Sequence, residues 1–267
     1  MIQPNEVYLV MGLLDTDSIA YSIGKTIEQF GGKVIYTVQS EKFKRVFFDR
    51  SPDLTDEQKE RMSIMFCDVT REDEVQRLFE QTGNLAGIVH SIAYANPKTC
   101  LGEEFHTDAQ DDILLSYKIS CMSLACVARY GCAVMPDGGS IVTMTFDSGR
   151  AYSYYNWMGV HKAALEALVR ALARRHGKDL IRVNAVSAGP LSTKAATHIP
   201  GFGELSHAWA QISPLPWDEK NDKQEVANLA VFLLGHYSKK ITGQTIFVDG
   251  GASAVGGRMM PHERPFE

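Results

Sequence analysis

The feature that most constrains the fold is a regular alternation of short β-rich runs with longer helical patterns. Short runs rich in Val, Ile, Thr and Tyr predict strands, and apolar residues at helical spacing predict helices. Because parallel strands need crossover connections, strands that alternate with helices predict a parallel sheet covered on both faces. We therefore expect a single-domain α/β fold, a Rossmann-like, doubly wound, seven-stranded parallel sheet with helices on both faces.

These patterns predict seven strands and five helices. The predicted strands cover residues 7–11, 33–38, 63–67, 87–90, 140–145, 181–186 and 245–248. The predicted helices cover residues 18–30, 71–81, 109–135, 154–176 and 223–234. Prolines, glycines and aromatics between about 191 and 222 predict a long connection with short helices, which serves the site at the carboxyl edge of the sheet. We expect one domain over 1–256, with this substrate loop, and a C-terminal tail over 257–267.

Composition and charge exclude several classes of protein. Apolar residues make up 45% of the chain, charged residues 22%, and the formal net charge is -5. The basic residues are scattered, so the electrostatic footprint of a nucleic-acid binder is missing. No run approaches the roughly 18 uncharged apolar residues of a membrane span, and the first residues lack the basic region of a secretory signal. We expect a cytoplasmic protein whose partners are small molecules, with no nucleic acid and no membrane.

The five cysteines form an odd set without a C-x-x-C pair. This spacing argues against a disulfide framework and against a structural zinc site. Reduced, mostly buried thiols and no metal site are expected.

A turn that begins at Gly12 follows the first predicted strand and leads to Ser18, the natural N-cap of the next helix. Free N–H groups and the positive end of the helix dipole would favour a pyrophosphate there, and Gly12 would let the backbone come close to it. The G-x-G-x-x-G fingerprint is absent, however, and ordinary helix capping produces the same pattern. The turn alone leaves both interpretations open.

The second and third predicted strands end in polar residues that suit the adenosine half of a dinucleotide. An acid at the end of the second strand usually holds a ribose 2′-hydroxyl, whereas an Arg there accommodates a 2′-phosphate. The neutral Gln39 occupies this end, and Asp68 and Val69 follow the third strand where an adenine would lie. NADH is therefore favoured over NADPH. NADPH stays open because three bases follow, although they also suit a solvated helix face: Lys42, Lys44 and Arg45.

Tyr155 and Lys162 are seven residues apart in a predicted helix. This separation is about 700° of rotation and about 10 Å of rise, so both side chains point the same way. The phenol could then reach a substrate carbonyl while the ammonium holds a nicotinamide ribose. A Tyr packed in a core beside a Lys on its apolar stem is the more common meaning of an isolated pair at this spacing. The wider sequence context decides between them.

Over nearly its full length the chain resembles the enoyl-acyl carrier protein reductases, the divergent branch of the short-chain dehydrogenase/reductase superfamily. The segments that carry the resemblance are GLLDTDSIAY at 12–21, CDV at 67–69, HSIAYA at 90–95, FDSGRAYSYYNWMGVHK at 146–162, RVNAVSAGPLST at 182–193 and VDGG at 248–251. The resemblance implies an oxidoreductase acting on CH–CH bonds, which reduces the 2,3 double bond of trans-2-enoyl thioesters with NADH, or with NADPH as the alternative cofactor, in fatty acid biosynthesis. Its substrate would be an enoyl-acyl carrier protein or an enoyl-CoA, and it would form a homotetramer.

The resemblance also implies roles for individual residues. Tyr155 would stabilise the enolate, Lys162 would hold the ribose, and Phe146 would pack against the acyl thioester. The implied catalytic residues are Tyr155, Lys162 and Phe146, and the implied substrate-binding residues are Ala95, Phe146 and Tyr155. The implied cofactor-binding residues are Gly12, Ser18, Ile19, Gln39, Asp68, Val69, Ser91, Ile92, Lys162, Gly189, Leu191 and Thr193.

Three positions depart from the family pattern. Phe146 stands where many members have a second Tyr, Ser192 stands where the family has Arg, and Lys194 replaces an apolar residue. These departures motivate one alternative function, a cofactor-binding homologue without reductase activity. A second alternative is a short-chain carbonyl reductase, which is disfavoured because the position four residues before Lys162 is Met158 and not Tyr. Within the family that the chain resembles, the connection at 191–214 is short, as in the branch that handles ordinary fatty chains and not extended as in the long-chain branch, which suggests an acyl chain of modest length.

Overall fold

Seven parallel strands form one sheet in the order β3-β2-β1-β4-β5-β6-β7. The computed structural model describes residues 1–255, so the predicted tail at 257–267 lies outside the described residues, as does residue 256. The strands are β1 (Val7–Met11), β2 (Lys33–Val38), β3 (Ser63–Phe66), β4 (Gly87–His90), β5 (Gly139–Thr145), β6 (Ile181–Ala188) and β7 (Thr245–Val248). The predicted doubly wound sheet is confirmed.

Helices cover both faces of the sheet. They are α1 (Ile19–Gln29), α2 (Glu41–Phe43), α3 (Asp56–Glu60), α4 (Glu72–Thr82), α5 (Gln110–Tyr117), α6 (Ser123–Gly131), α7 (Asn156–His176), α8 (Phe202–Ile212) and α9 (Lys223–Leu234). Helices α1 and α9 pack together on one face. Helices α4, α6 and α7 cover the other face.

The side chains of β1 illustrate how the sheet separates two apolar layers. Successive residues of a strand point to opposite faces. Tyr8 and Val10 accordingly lie in the layer beneath α1 and α9, whereas Leu9 and Met11 lie in the layer beneath α4, α6 and α7. All four residues are buried, because a parallel sheet covered on both faces leaves its central strands no solvent-exposed side.

The structure corrects the predicted helix 109–135. That segment consists of α5, a π-helical turn at Lys118–Met122, α6 and a final 3₁₀ turn at Cys132–Val134. A π turn changes the backbone hydrogen-bond pattern over a few residues only, so hydrophobic spacing alone does not reveal it. The short helices α2 and α3 between β2 and β3 were also not predicted, because each is too brief to have a clear period.

One continuous helical run, Gln110–Val134, is long and apolar enough by length and composition to cross a membrane. The sequence was expected to contain no segment that approaches a membrane span, so this run differs from that expectation. The core helix of a globular protein passes the same test, and Leu124, Val127 and Ala128 of this run are buried against the sheet. The run therefore has a place in the fold that requires no membrane.

Candidate active site

The expected site residues follow the carboxyl ends of six of the seven strands. Gly12 follows β1, Gln39 follows β2, Asp68 lies two residues after β3, Ser91 follows β4, Phe146 follows β5 and Gly189 follows β6. In a doubly wound sheet, ligands bind outside these strand ends, at the point where the strand order reverses. Here that point lies between β1 and β4, because their connections lead to opposite faces of the sheet.

Gly12 and Ser91 meet at this reversal point. Gly12 has a φ of +95°, a conformation that other residues rarely adopt, and a Cβ atom there would lie 2.0 Å from the carbonyl oxygen of Ser91. The amide of Ser91 donates a hydrogen bond to the carbonyl of Met11, 3.2 Å away. Ile92 is partly buried against the layer beneath α4, α6 and α7. The turn after β1 therefore needs a glycine, and it lies directly beside the segment after β4.

Ser18 caps α1, as predicted. Its hydroxyl accepts a hydrogen bond from the amide of Tyr21 and donates one to the carbonyl of Asp15, at 3.3 and 2.7 Å. Helix α1 begins at the next residue, Ile19, which packs against the core. The N-terminus of α1 is therefore directed towards the turn that begins at Gly12, an arrangement that suits an anion.

Two acids in this turn are each paired with a distant lysine. The buried Asp15 contacts Lys194, whose ammonium lies 3.0 Å from its carboxylate. Asp17 contacts Lys223, at the start of α9. Sequence analysis gave no role to Asp15, Asp17 or Lys223, since the lysines lie far along the chain and no local spacing connects them to the turn.

Gln39 and Asp68 join the ends of β2 and β3. The Gln39 amide donates a hydrogen bond to the Asp68 carboxylate over 3.1 Å, and the other carboxylate oxygen accepts from the backbone and the hydroxyl of Thr70. Partial burial raises the pKa of Asp68, but the hydrogen bonds from Thr70 and Gln39 outweigh it, so the pKa lies below its usual value. A neutral amide and an ionised acid therefore stand together where the adenosine half was expected. Val69 beside them is partly buried in the core.

The three bases after β2 lie on α2 and on the π-helical turn Lys44–Phe48. Lys44 is paired with Asp49 at 2.7 Å, and Lys42 and Arg45 are exposed. These positions agree with a solvated helix face and leave the choice between NADH and NADPH open.

Tyr155 lies immediately before α7, not within it, and the predicted helix start at 154 is corrected. Tyr154 has a φ of +67°, in the left-handed region, so the helix cannot include it. The carbonyl of Tyr155 accepts the hydrogen bond from Gly159 that opens the helix, at 3.0 Å.

The pKa of the Tyr155 phenol is raised and the pKa of the Lys162 ammonium is lowered. Tyr155 is partly buried among aromatic side chains, and this desolvation raises the pKa of its phenol, so it remains a protonated donor at neutral pH. Lys162 is buried, and desolvation lowers its pKa to about 8, against the opposing effect of Cys121 and Glu166. The Lys162 ammonium donates a hydrogen bond to the carbonyl of Met144, 2.8 Å away.

Aromatic rings surround Phe146 beside Tyr155. The ring centroid of Phe146 lies 4.9 Å from that of Tyr155, 5.0 Å from that of Tyr152 and 5.4 Å from that of Trp209. Trp209, on α8, is 1% exposed and brings the substrate loop into this aromatic cluster. Sequence analysis did not identify Trp209, because no pattern indicated which aromatic of the loop would turn inward.

The remaining expected residues lie on the segments after β4 and β6. A Cβ atom on Gly189 would lie 2.7 Å from the ring of Trp217, Leu191 is buried in the core, and the Thr193 hydroxyl accepts a hydrogen bond from Ala196 at 3.2 Å. Ala95 is partly exposed beyond β4.

A nicotinamide dinucleotide fits the residues that are present. The left-handed Gly12 and the capped α1 provide a turn for a pyrophosphate, and Gln39 with Asp68 provides polar groups at the adenosine end. Tyr155 and Lys162 provide a phenol and an ammonium near the end of β5, where the nicotinamide end of the dinucleotide would lie. Within residues 1–255, no three His, Cys, Asp or Glu side chains form a group that could hold a metal ion.

Comparisons with known proteins agree with this geometry. A family model described as Enoyl-(Acyl carrier protein) reductase matches residues 12–253. The NADPH-dependent enoyl-[acyl-carrier-protein] reductase FabI of Staphylococcus aureus (strain MRSA252) is 37% identical over 257 residues, which cover 94% of this chain and 98% of that protein. The NADH-dependent FabI of Bacillus cereus (strain ATCC 14579) is 36% identical over 256 residues, with the same coverage.

A solved structure is similar along nearly the whole chain. It is the Bacillus cereus enoyl-acyl carrier protein reductase with NADP+ and indole naphthyridinone, and it matches with a TM-score of 0.86 and 36% identity. The match covers 96% of this chain and 100% of that one. This chain belongs to the enoyl-acyl carrier protein reductase family.

Proposed function

We propose that this chain is an enoyl-acyl carrier protein reductase that reduces the 2,3 double bond of trans-2-enoyl thioesters with NADH or NADPH in fatty acid biosynthesis. Membership of the family supports the reaction. The observation that carries the proposal is the protonated phenol of Tyr155, packed against Phe146 at the end of β5 and followed along α7 by the buried Lys162.

The reaction needs a group that stabilises negative charge on the thioester oxygen. When bound, the nicotinamide supplies a hydride for the β-carbon of the substrate. Tyr155 donates a hydrogen bond to the thioester carbonyl oxygen, where negative charge develops. Lys162 holds the cofactor ribose, and Phe146, which cannot donate a hydrogen bond, packs against the thioester. A proton reaches the α-carbon from solvent or through a relay.

The cofactor would lie along the carboxyl edge of the sheet. It would be lined by the twelve cofactor-binding residues that the resemblance implies, from Gly12 to Thr193. The adenosine ribose lies near Gln39 and Asp68, and the pyrophosphate lies at the turn before Ser18. Relatives named for NADH and for NADPH are similar to this chain to nearly the same degree, so both cofactors belong to the proposal.

The acyl substrate would enter beside the substrate loop. Ala95 and Phe146 would contact the acyl thioester, and the carrier would be acyl carrier protein or coenzyme A. Carriers of both kinds present the same thioester to Tyr155, so the residues within the site serve either one.

A homotetramer in the cytoplasm completes the proposal. Several large apolar side chains are exposed on α5, on the π-helical turn after it and on α7, which packs against both, and exposed apolar side chains favour association. They are Leu114, Leu115, Met122 and Val160. All five cysteines are free, which suits a reducing compartment.

The direct test is the loss of reduced nicotinamide in the presence of crotonyl and longer 2-enoyl thioesters, with each cofactor in turn. We expect turnover in the wild type and a fall in kcat of about 10²–10³ in Tyr155→Phe, with unchanged NADH affinity. Tyr154→Phe is the matched control, because the Tyr154 hydroxyl donates a hydrogen bond to the Glu103 carboxylate over 3.4 Å and has no role in the proposed reaction. We expect this control to retain activity.

Three outcomes would contradict the proposal. Absence of turnover with every thioester and either cofactor would reject it outright. Reduction of ketones but not of enoyl thioesters would favour a carbonyl reductase. Tight binding of NADH or NADPH without chemistry on either substrate class would favour a cofactor-binding homologue.

A further inference from the structure

Lys194 connects three segments at the edge of the dinucleotide site. It lies after β6, and its ammonium is 3.0 Å from the carboxylate of Asp15, in the turn after β1. The same ammonium lies 5.6 Å from the ring centroid of Phe47, on the π-helical turn after β2. One side chain therefore ties the beginning of the substrate loop to the two segments that border the expected pyrophosphate and adenosine positions.

The carboxylate of Asp15 is poorly placed for a site that binds an anion. Its side chain is 5% exposed, and its other oxygen accepts a hydrogen bond from the amide of Asp17 at 3.0 Å. An ionised carboxylate in this turn repels a pyrophosphate, and the repulsion is strong because little water screens it. Asp15 therefore needs a cation beside it if the turn is to accept a dinucleotide.

Lys194 is that cation in the described part of the chain. The other lysine at this turn, Lys223, contacts Asp17 and not Asp15. The family resemblance places an Arg at position 192 and an apolar residue at 194, whereas this chain has Ser192 and Lys194. The positive charge is thus present in the loop, displaced by two residues, and it faces an acid on the turn after β1.

We propose that Lys194 is a cofactor-positioning residue, which neutralises Asp15 and so allows the turn between Gly12 and Ser18 to accept the dinucleotide pyrophosphate. The inference rests on the proposed function, because that function supplies the cofactor. It adds a specific dependence: the requirement for Lys194 exists only while Asp15 carries its charge. Removing the charge of Asp15 removes the requirement.

The test is a double-mutant cycle in which the dissociation constant of NADH is measured by fluorescence titration without substrate. We expect Lys194→Met to raise the Kd about tenfold, the effect of one unscreened like charge near the pyrophosphate. Asp15→Asn should bind NADH at least as tightly as the wild type. The double variant Lys194→Met with Asp15→Asn should return to within about twofold of the wild-type Kd, since the two changes are coupled.

A matched control separates this effect from a general loss of positive charge. Lys25 is 49% exposed and paired with Glu28 at 2.7 Å on α1, and Lys194 is 48% exposed. Lys25→Met should leave the Kd unchanged.

Two results would overturn the inference. One is a Lys194→Met variant that binds NADH as well as Lys25→Met does. The other is a loss of affinity that persists in the double variant, which would mean that Lys194 acts on the cofactor itself and not through Asp15. If Lys194→Met fails to fold, the double variant supplies the comparison, because it carries no unpaired buried carboxylate. A wild type that binds neither cofactor would instead reject the proposed function.

Discussion

The ammonium of Lys162 donates a hydrogen bond to the backbone carbonyl of Met144 over 2.8 Å. This bond joins α7 to the end of β5, two residues before Phe146. Lys162 is 5% exposed, and the electrostatic effect of the nearby Cys121 and Glu166 only partly offsets the desolvation of its ammonium. A buried ammonium held mainly by a carbonyl is easier to deprotonate than one in water, and the pKa of about 8 expresses this.

Cofactor affinity should therefore weaken at alkaline pH. The Lys162 ammonium loses its proton above about pH 8, whereas the raised pKa of Tyr155 keeps the phenol protonated throughout. We expect the Kd of NADH, measured by fluorescence titration, to rise above about pH 8 in the wild type and in Tyr155→Phe. In Lys162→Met the affinity should be lower at neutral pH and free of this alkaline change. An alkaline change that disappears in Tyr155→Phe would contradict the assignment.

Stability should change with pH in the opposite direction. Desolvation lowers the pKa of Lys162 from 10.5 to about 8 on folding, so the unfolded chain binds more protons between these values. The contribution of Lys162 to the free energy of unfolding therefore rises as pH increases through this window, by a few kcal/mol at most. Denaturant unfolding of the wild type and Lys162→Met without cofactor measures it as the difference between the two curves. A difference that is flat or falls with pH would contradict the lowered pKa.

The close approach of Gly12 to Ser91 predicts a strong effect of one methyl group. In Gly12→Ala the new Cβ would lie 2.0 Å from the Ser91 carbonyl, in a backbone conformation that disfavours side chains. We expect a destabilisation of about 1–3 kcal/mol or more, together with weakened NADH binding. Gly203→Ala is the control, because nothing lies within 4 Å of its added Cβ. Thermal unfolding and fluorescence titration measure both effects, and similar behaviour of the two variants would contradict the prediction.

Strand positions could be predicted from the sequence because a buried parallel strand is a short apolar run with clear ends. The observed β6 extends two residues beyond its prediction, to Ala188, where it pairs with Val248 of β7. Helix boundaries were less predictable. The π turn Lys118–Met122 and the left-handed Tyr154 are local backbone conformations that no hydrophobic period reveals.

The candidate site was predictable where its residues directly follow strands, as Gly12 and Phe146 do. It was not predictable where tertiary packing brings together distant parts of the chain. Trp209 reaches Phe146 from α8, and Lys194 reaches Asp15 from the loop after β6. These contacts depend on how the long connection folds back over the sheet, which sequence spacing does not encode.

Tyr152 should limit the length of the acyl chain. Its hydroxyl donates a hydrogen bond to the buried Asp147 carboxylate over 2.6 Å, and its ring lies 5.0 Å from Phe146 and 5.6 Å from Trp209. The ring thus fills space next to the expected thioester position. In Tyr152→Ala we expect kcat/KM to shift towards longer enoyl thioesters relative to crotonyl thioesters, by about tenfold or more. Tyr152→Phe keeps the ring and should keep the preference, so the same shift in both variants would contradict this role.

The exposed apolar side chains of α5 should be needed for oligomer formation. Leu114 is 61% exposed and Leu115 is 40% exposed, and both belong to α5, which packs against α7, the helix that carries the exposed Val160. A carboxylate introduced at position 114 would be buried without a partner in a subunit contact. We expect the wild type to sediment as a tetramer and Leu114→Glu to sediment as a smaller species. Leu180→Glu, at a residue that is 74% exposed in the turn before β6, should leave the sedimentation of the tetramer unchanged. A Leu114→Glu variant that remains tetrameric would place the subunit contact elsewhere.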